Sequence, residues 1–167
     1  MYKNYNKYGQ FGKDHEEGVN FQRLRSERLQ KTREAMKRHG LGAMVAFTGE
    51  NVRYITGIMG LPFPGRRYTV LPIEGEPVHF ELGGDLRWVR DFGAPWMAGR
   101  VNYSIPIGDR HCFGPEAGAK SLELCADGIK KVLKDYGVSH EKVGFDYMAG
   151  LTGVLEEANI RYVDGWP

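Results

Sequence analysis

The stretch from Ala43 to Gly57, Ala-Met-Val-Ala-Phe-Thr-Gly-Glu-Asn-Val-Arg-Tyr-Ile-Thr-Gly, constrains the fold of this chain more than any other. Its first residues, Ala43 to Phe47, carry no polar side chain. A run of that length fits a strand covered on both faces, as strands between two layers of helices are. The run gives way at once to Thr48-Gly49-Glu50-Asn51, whose short polar side chains can satisfy free backbone N–H groups at a turn or a helix start. A central strand is expected here, then one short helical turn over Val52 to Ile55, ended by Gly57.

The chain on either side supplies what such a strand needs. From Phe21 to His39 the residues Phe21, Leu24, Leu29, Thr32, Ala35 and Met36 fall on one arc of a helix, and Gly40 ends it. Arg25 and Arg28 intrude into that arc, so their stems should cover the core while their guanidinium groups find partners at its edge, ion pairs being expected. Tyr68 to Ile73 and Pro77 to Leu82 read as a hairpin across Glu74-Gly75-Glu76, with His79 and Glu81 on a solvated face of its second strand. Asp85 is expected to cap a short helix through Phe92. Val101 to Ile107 alternates as a strand pushed to a sheet edge by Pro106, and Gly108 to Gly114 reads as the loop after it. Leu122, Cys125, Ala126, Ile129, Val132, Leu133 and Tyr136 form the stripe of a long helix ended by Gly137. Lys142 to Asp146 is a further strand, Leu151 to Ala158 a helix and Arg161 to Val163 a last strand. This order predicts a three-layer α/β/α domain with a mixed sheet, antiparallel at its start and built by crossovers later.

A chain of 167 residues accommodates one such domain with a real core, and two would be cramped. Residues 1 to 20 hold Tyr2, Tyr5, Tyr8 and Phe11 without periodicity, so they are expected to form a flexible arm preceding a domain over 21–167. That arm lacks the apolar segment of a signal peptide, and no apolar run approaches the ~20 residues needed to cross a bilayer. A cytoplasmic protein is expected, without membrane contact. A net charge of +2 is too mild to argue for nucleic acid, and the basic residues of the first helix are spread around it and interrupted by Glu27 and Glu34. Cys112 and Cys125 have no companions, which gives neither a zinc pattern nor a disulfide framework.

The order helix, Gly-Leu-Gly-Ala, apolar strand and Asn-x-x-Tyr-x-x-Gly resembles the amino-terminal domain of the creatinase/prolidase/aminopeptidase P family. The positions that carry the resemblance are Arg28, Met36, Gly40 to Ala43, Asn51, Tyr54 and Gly57, and it extends more loosely from about residue 21 to the end. The resemblance implies a ribonuclease H-like fold and a non-catalytic role. In that family the chemistry lies in a following "pita-bread" domain, absent from this chain, where divalent metal ions (Mn, Zn, Co or Fe) would sit; no cofactor is expected in this chain itself. It implies a parent hydrolase acting on Xaa-Pro peptides or on small molecules, as prolidase, aminopeptidase P and creatinase do. The partners implied are the chain's own catalytic domain and a second subunit, in a dimer or other homo-oligomer. A stand-alone binding or scaffold domain of the same fold, or half of a lyase acting on a small sulfonium compound, are the alternatives.

Independent chemistry is sparse. No Gly-x-Gly-x-x-Gly follows a strand, and neither Gly-x-x-x-x-Gly-Lys-Ser/Thr nor Gly-x-Ser-x-Gly occurs. His79-x-Glu81 lacks the Pro-Cys-x-x-Cys of a zinc deaminase. His111 and Cys112 are adjacent, with Asp109 near, but neighbours on an extended chain point apart and make a poor nucleophile–base pair. Glu81 and Asp146 are the strand carboxylates a two-metal nuclease would draw on, and two scattered carboxylates do not make that site. Exposed aromatics in Leu61 to Tyr68, in Ala94 to Ala98 and in the arm suggest self-association.

The loop from Met59 to Arg67 holds two prolines, two glycines and several apolar side chains. One reading makes it a lip over the active site of the parent enzyme, with Phe63 as an apolar wall and Arg66 and Arg67 as fixed charges for a substrate carboxylate. The other makes it a proline-stiffened connection whose arginines pair with Glu81 or Asp85. Both stay open.

Overall fold

The computed structural model describes residues 18–58, 67–105, 110–147 and 150–164, without the side chains of Gly84, Phe92, Arg110 to Phe113 and Asp164. The expected arm therefore falls almost wholly outside the described residues, as does the greater part of the Met59 to Arg67 loop. Asn20 caps the first helix, its side-chain oxygen accepting from the Arg23 N–H at 2.9 Å.

Helix α1 (Phe21–Arg38) leads into strand β1 (Leu41–Ala46), every residue of which is buried. Gly40 makes the junction with a φ of 62°, a left-handed conformation that glycine adopts without steric cost. Gly42 answers a different demand, since a Cβ there would lie 2.0 Å from Cβ of Glu141. The register of β1 against its parallel neighbour shifts at this point, as a bulge allows.

Beyond β1 come α2 (Gly49–Thr56), β2 (Tyr68–Pro72), β3 (Val78–Leu82) and α3 (Gly83–Trp88), which runs on into a π-helical turn at Val89–Gly93 and a 3-10 turn at Pro95–Met97. Then follow β4 (Val101–Ser104), α4 (Arg110–Asp135), β5 (Lys142–Phe145), α5 (Thr152–Glu157) and β6 (Tyr162–Asp164). The sheet runs β4-β3-β2-β1-β5-β6. The pairs β1–β2 and β2–β3 are antiparallel, and β1–β5, β5–β6 and β3–β4 are parallel. The expected mixed sheet with β1 near its middle is what the chain forms.

Alternation along the strands sorts the core into two layers. Ala43, Val45 and Phe47 meet Tyr68, Val70, Val78 and Phe80 beneath Ile129, Val132 and Leu133 of α4. On the other face Met44, Ala46 and Leu71 meet Met36 of α1 and Val52 and Ile55 of α2. Within the first layer Tyr68 stacks on Phe80 with ring centroids 4.4 Å apart, and its hydroxyl shares a hydrogen bond with Cys125. Burial, the larger effect, pushes the Cys125 thiol up to about 12. Burial, with Cys125 adding to it, holds the Tyr68 phenol well above its ordinary value.

Several local expectations are corrected. His79 and Glu81 are 0% exposed rather than solvated, because the segment after β3 folds back on this half of the sheet. Helix α3 packs against β3 and β4, and Val89, Ala94 and Met97 close with Ile58 into a small third core. The same packing removes the exposed patch expected over Ala94 to Ala98: Ala94 and Met97 are buried, and Trp96 donates its indole N–H to the Thr56 carbonyl at 2.6 Å. Asp85 lies within the first turn of α3, whose cap position is Leu82. The edge strand β4 stops at Ser104, with Tyr103 61% exposed. Helix α4 begins at Arg110, inside the expected loop, and is broken at Gly114 (φ 81°, ψ 169°) just before Pro115. Arg25 and Arg28 lie over aromatic rings, 3.8 Å from the Trp96 centroid and 5.2 Å from that of Tyr54. A planar, weakly hydrated guanidinium stacks on such faces readily.

Candidate functional site

The loop named in the sequence analysis leaves the core at Ile58 and returns to it at Arg67, and the described residues on both sides of it are held by polar contacts. The outgoing side begins with α2. Phe47 and Thr48 end β1 with backbone N–H groups that no strand neighbour takes up. Asp146, one residue past β5, accepts both: Phe47 N–H at 2.7 Å and Thr48 N–H at 3.1 Å. It also accepts from the Thr48 hydroxyl at 2.7 Å and from the Asn51 side-chain amide at 2.9 Å. Thr48 occupies the cap position of α2 but makes no capping bond of its own, because its hydroxyl is turned to Asp146. The expected local capping is thus replaced by a carboxylate from a parallel strand, and negative charge at a helix N-terminus is favourable. At its other end α2 closes on Gly57, while the Thr56 hydroxyl donates to the Val52 carbonyl and accepts from the Ile58 N–H at 3.0 Å.

The returning side is a buried polar chain across β2 and β3. Hairpin register sets Thr69 opposite His79, and Thr69 Oγ1 lies 2.8 Å from Nδ1 of the ring. His79 Nε2 lies 3.0 Å from Glu81 Oε2. A ring carrying its proton on Nε2 donates to that carboxylate and accepts from the Thr69 hydroxyl, which satisfies both. Arg67 Nη1 donates to the same Glu81 oxygen at 3.3 Å, and the Leu82 N–H donates to the other at 3.0 Å. Arg67 is 3% exposed, and its Nε has no acceptor. An ion pair so deeply buried is costly to form and costlier to break, since removing either partner strands the other charge.

Of the three residues singled out for the lip, Arg67 is therefore placed on Glu81, while Phe63 and Arg66 lie outside the described residues. Glu81 and Asp146 do not converge. They stand three strand positions apart, about 14 Å at the usual spacing, each committed to its own partners. The side chains of His111 and Cys112, and Asp109 as a whole, are outside the described residues. Among the described residues no three His, Cys, Asp or Glu side chains gather as a metal site. No helix among them is long and apolar enough to cross a membrane. Sequence reasoning missed the roles of Thr69 and Asp146. The signal for Thr69 was present in the hairpin register, while that for Asp146 required knowing that β5 lies beside β1.

The profile of the creatinase/prolidase N-terminal domain family matches residues 28–159. No curated protein sequence matches the chain. Among solved structures it is similar to the N-terminal domain of the cytoplasmic peptidase PepQ from Mycobacterium tuberculosis, at 21% identity and a TM-score of 0.53, covering 83% of this chain and 92% of that one. It is similar also to a proline dipeptidase structure from Streptococcus agalactiae, at 14% identity and a TM-score of 0.55, covering 85% and 95%. With the Xaa-Pro dipeptidase of Bacillus anthracis it shares 12% identity at a TM-score of 0.55, covering 84% of this chain but 33% of that one. At these identities the likeness establishes the fold. The chain spans about a third of that last protein.

Proposed function

The chain belongs to the creatinase/prolidase N-terminal domain family, and we propose that it serves as the non-catalytic half of a cytoplasmic, metal-dependent hydrolase of the Xaa-Pro peptidase type. In this reading a following catalytic domain holds the divalent metal ions and performs the chemistry. The present domain shapes the entrance for a peptide or related small molecule and contributes to contacts with a second subunit. The loop from Met59 to Arg67 is the part that reaches the entrance, with Phe63 as an apolar wall and Arg66 as the charge offered to a substrate carboxylate. Arg67 holds the loop at its base.

The observation that carries this reading is the fastening of both flanks of the loop. The Arg67–Glu81 pair is fully desolvated, and α2 is tied at its start by Asp146 and at its end by Thr56. The Arg67–Glu81 pair is the one expected of a plain connection, so Arg67 is withdrawn from the substrate; a loop fastened at both flanks presents Phe63 and Arg66 at a lower entropic cost on binding.

The test uses the protein joined to its catalytic domain. Phe63→Ala and Arg66→Ala should each raise KM for an Xaa-Pro dipeptide about tenfold while kcat and metal content stay unchanged, the pattern of lost uniform binding. Arg67→Ala should behave differently, lowering stability by about 3–5 kcal/mol through the stranded Glu81. Unchanged kinetics in both Phe63→Ala and Arg66→Ala would reduce the loop to a connection.

A further inference from the structure

A cleft of about 400 Å³ lies on the α1 side of the sheet, between α1, the end of α2, the β2–β3 turn and the 3-10 turn. Its charged lining includes Arg25, Arg33, Arg100 and Glu76, and its apolar wall includes Leu29, Ile55 and Met97.

Around Glu76 the charges do not balance. Arg100 Nη1 donates to Glu76 at 3.0 Å, and Nη2 donates to the Trp96 carbonyl at 2.6 Å. Arg33 donates through Nη2 to the Gly75 carbonyl and stands 3.8 Å from the other Glu76 oxygen. Two guanidinium groups thus share one carboxylate, and that carboxylate is more than half exposed. Arg33 Nε is shielded from water and has no acceptor, although a buried donor normally finds one. Both arginine side chains are about a quarter exposed, so a small rotation brings either to an incoming oxyanion.

We propose that this cleft binds a small organic carboxylate, its oxygens shared between Arg33 and Arg100 and its apolar body laid against Leu29, Ile55 and Met97. A carboxylate brings a second negative charge to the two guanidinium groups that Glu76 alone serves. The planar fork of a guanidinium matches a carboxylate through paired hydrogen bonds, and a body without polar groups suits the remaining wall. Glu76 acts as an internal competitor that keeps the two guanidinium groups in place when the cleft is empty.

The experiment titrates the full chain with 3-phenylpropionate and, in parallel, with the uncharged 3-phenylpropanamide, following the indole N–H resonance of Trp96 by NMR. The carboxylate should give a saturable shift at millimolar concentration and the amide none. Arg33→Met and Arg100→Met should each weaken binding about tenfold or more, as loss of a charge-assisted hydrogen bond does. Glu76→Gln should tighten it several-fold, a gain that a purely structural role for these residues does not produce. Because Arg33→Met also removes a bond to Gly75 and could disturb folding, Glu76→Gln, at a half-exposed position, carries the decision in that event. No saturable shift with the carboxylate, equal binding of the amide, or unchanged or weaker binding in Glu76→Gln would each overturn the proposal.

Discussion

Asp146 and Asn51, separated by 95 residues in sequence, meet through a hydrogen bond of 2.9 Å from the Asn51 amide to Asp146 Oδ2. The same carboxylate takes the backbone N–H groups of Phe47 and Thr48 and the Thr48 hydroxyl. Strand β5 thereby fixes where β1 ends and α2 begins, and hence the direction in which the chain sets out toward the loop.

Asp146→Ala should accordingly lower stability by about 3 kcal/mol, since it leaves two backbone donors and two side chains without their acceptor. Urea unfolding measures this directly, and a midpoint unchanged against the parent chain would show that water replaces the carboxylate without loss. Asn51→Ala removes one donor to a charged acceptor and should cost less, about 1–2 kcal/mol.

Gly128 lies on α4 directly above Tyr68, where a Cβ would stand 2.5 Å from the phenolic oxygen and 3.1 Å from Phe80. Alanine is the better helix former by about 1 kcal/mol, yet overpacking a filled core typically costs about 1–3 kcal/mol, and the Tyr68 ring is pinned by its stack on Phe80. Gly128→Ala should therefore destabilise the domain, and Tyr68→Phe should rescue much of that loss by removing the clashing oxygen. Additive effects in the double variant would contradict the close approach.

The Tyr68–Cys125 pair also makes stability depend on alkaline pH. Both groups hold their protons more tightly in the folded chain than in the unfolded one. Above pH 9 the unfolded state releases the cysteine proton first, so it binds fewer protons than the native state and stability falls with rising pH. The contribution of Cys125 is fully present below pH 9 and is lost progressively up to about 12. Between pH 7.5 and 10.5 this amounts to about 2 kcal/mol. Unfolding of the parent chain and of Cys125→Ala at the two pH values checks it, the variant being expected to lose less. Equal losses would mean that other groups govern the alkaline limb.

The layered fold was legible in the sequence because its signals are local. The apolar run at Ala43 to Phe47, the helical spacing from Leu122 to Leu133 and the glycines at Gly40, Gly57 and Gly137 that follow three of the helices act within a few residues of where they stand, and backbone geometry reads them in place. The β2–β3 hairpin followed from the tight turn between its strands, and the crossover connections from the helices that separate the later strands. What lay beyond the sequence were contacts between elements distant along it. His79 and Glu81 alternate with Val78 and Phe80 as any half-solvated strand would, and only the return of residues 83–97 over that face, with Arg67 arriving from β2, turns them into a buried charged chain. Thr48 and Asn51 look like a cap complete in itself, and only the parallel seating of β5 beside β1 brings Asp146 to accept their hydrogen bonds. Local propensity is set by each residue's own backbone and side chain, whereas burial and hydrogen-bond partners depend on which surfaces meet, and that is decided when the layers close.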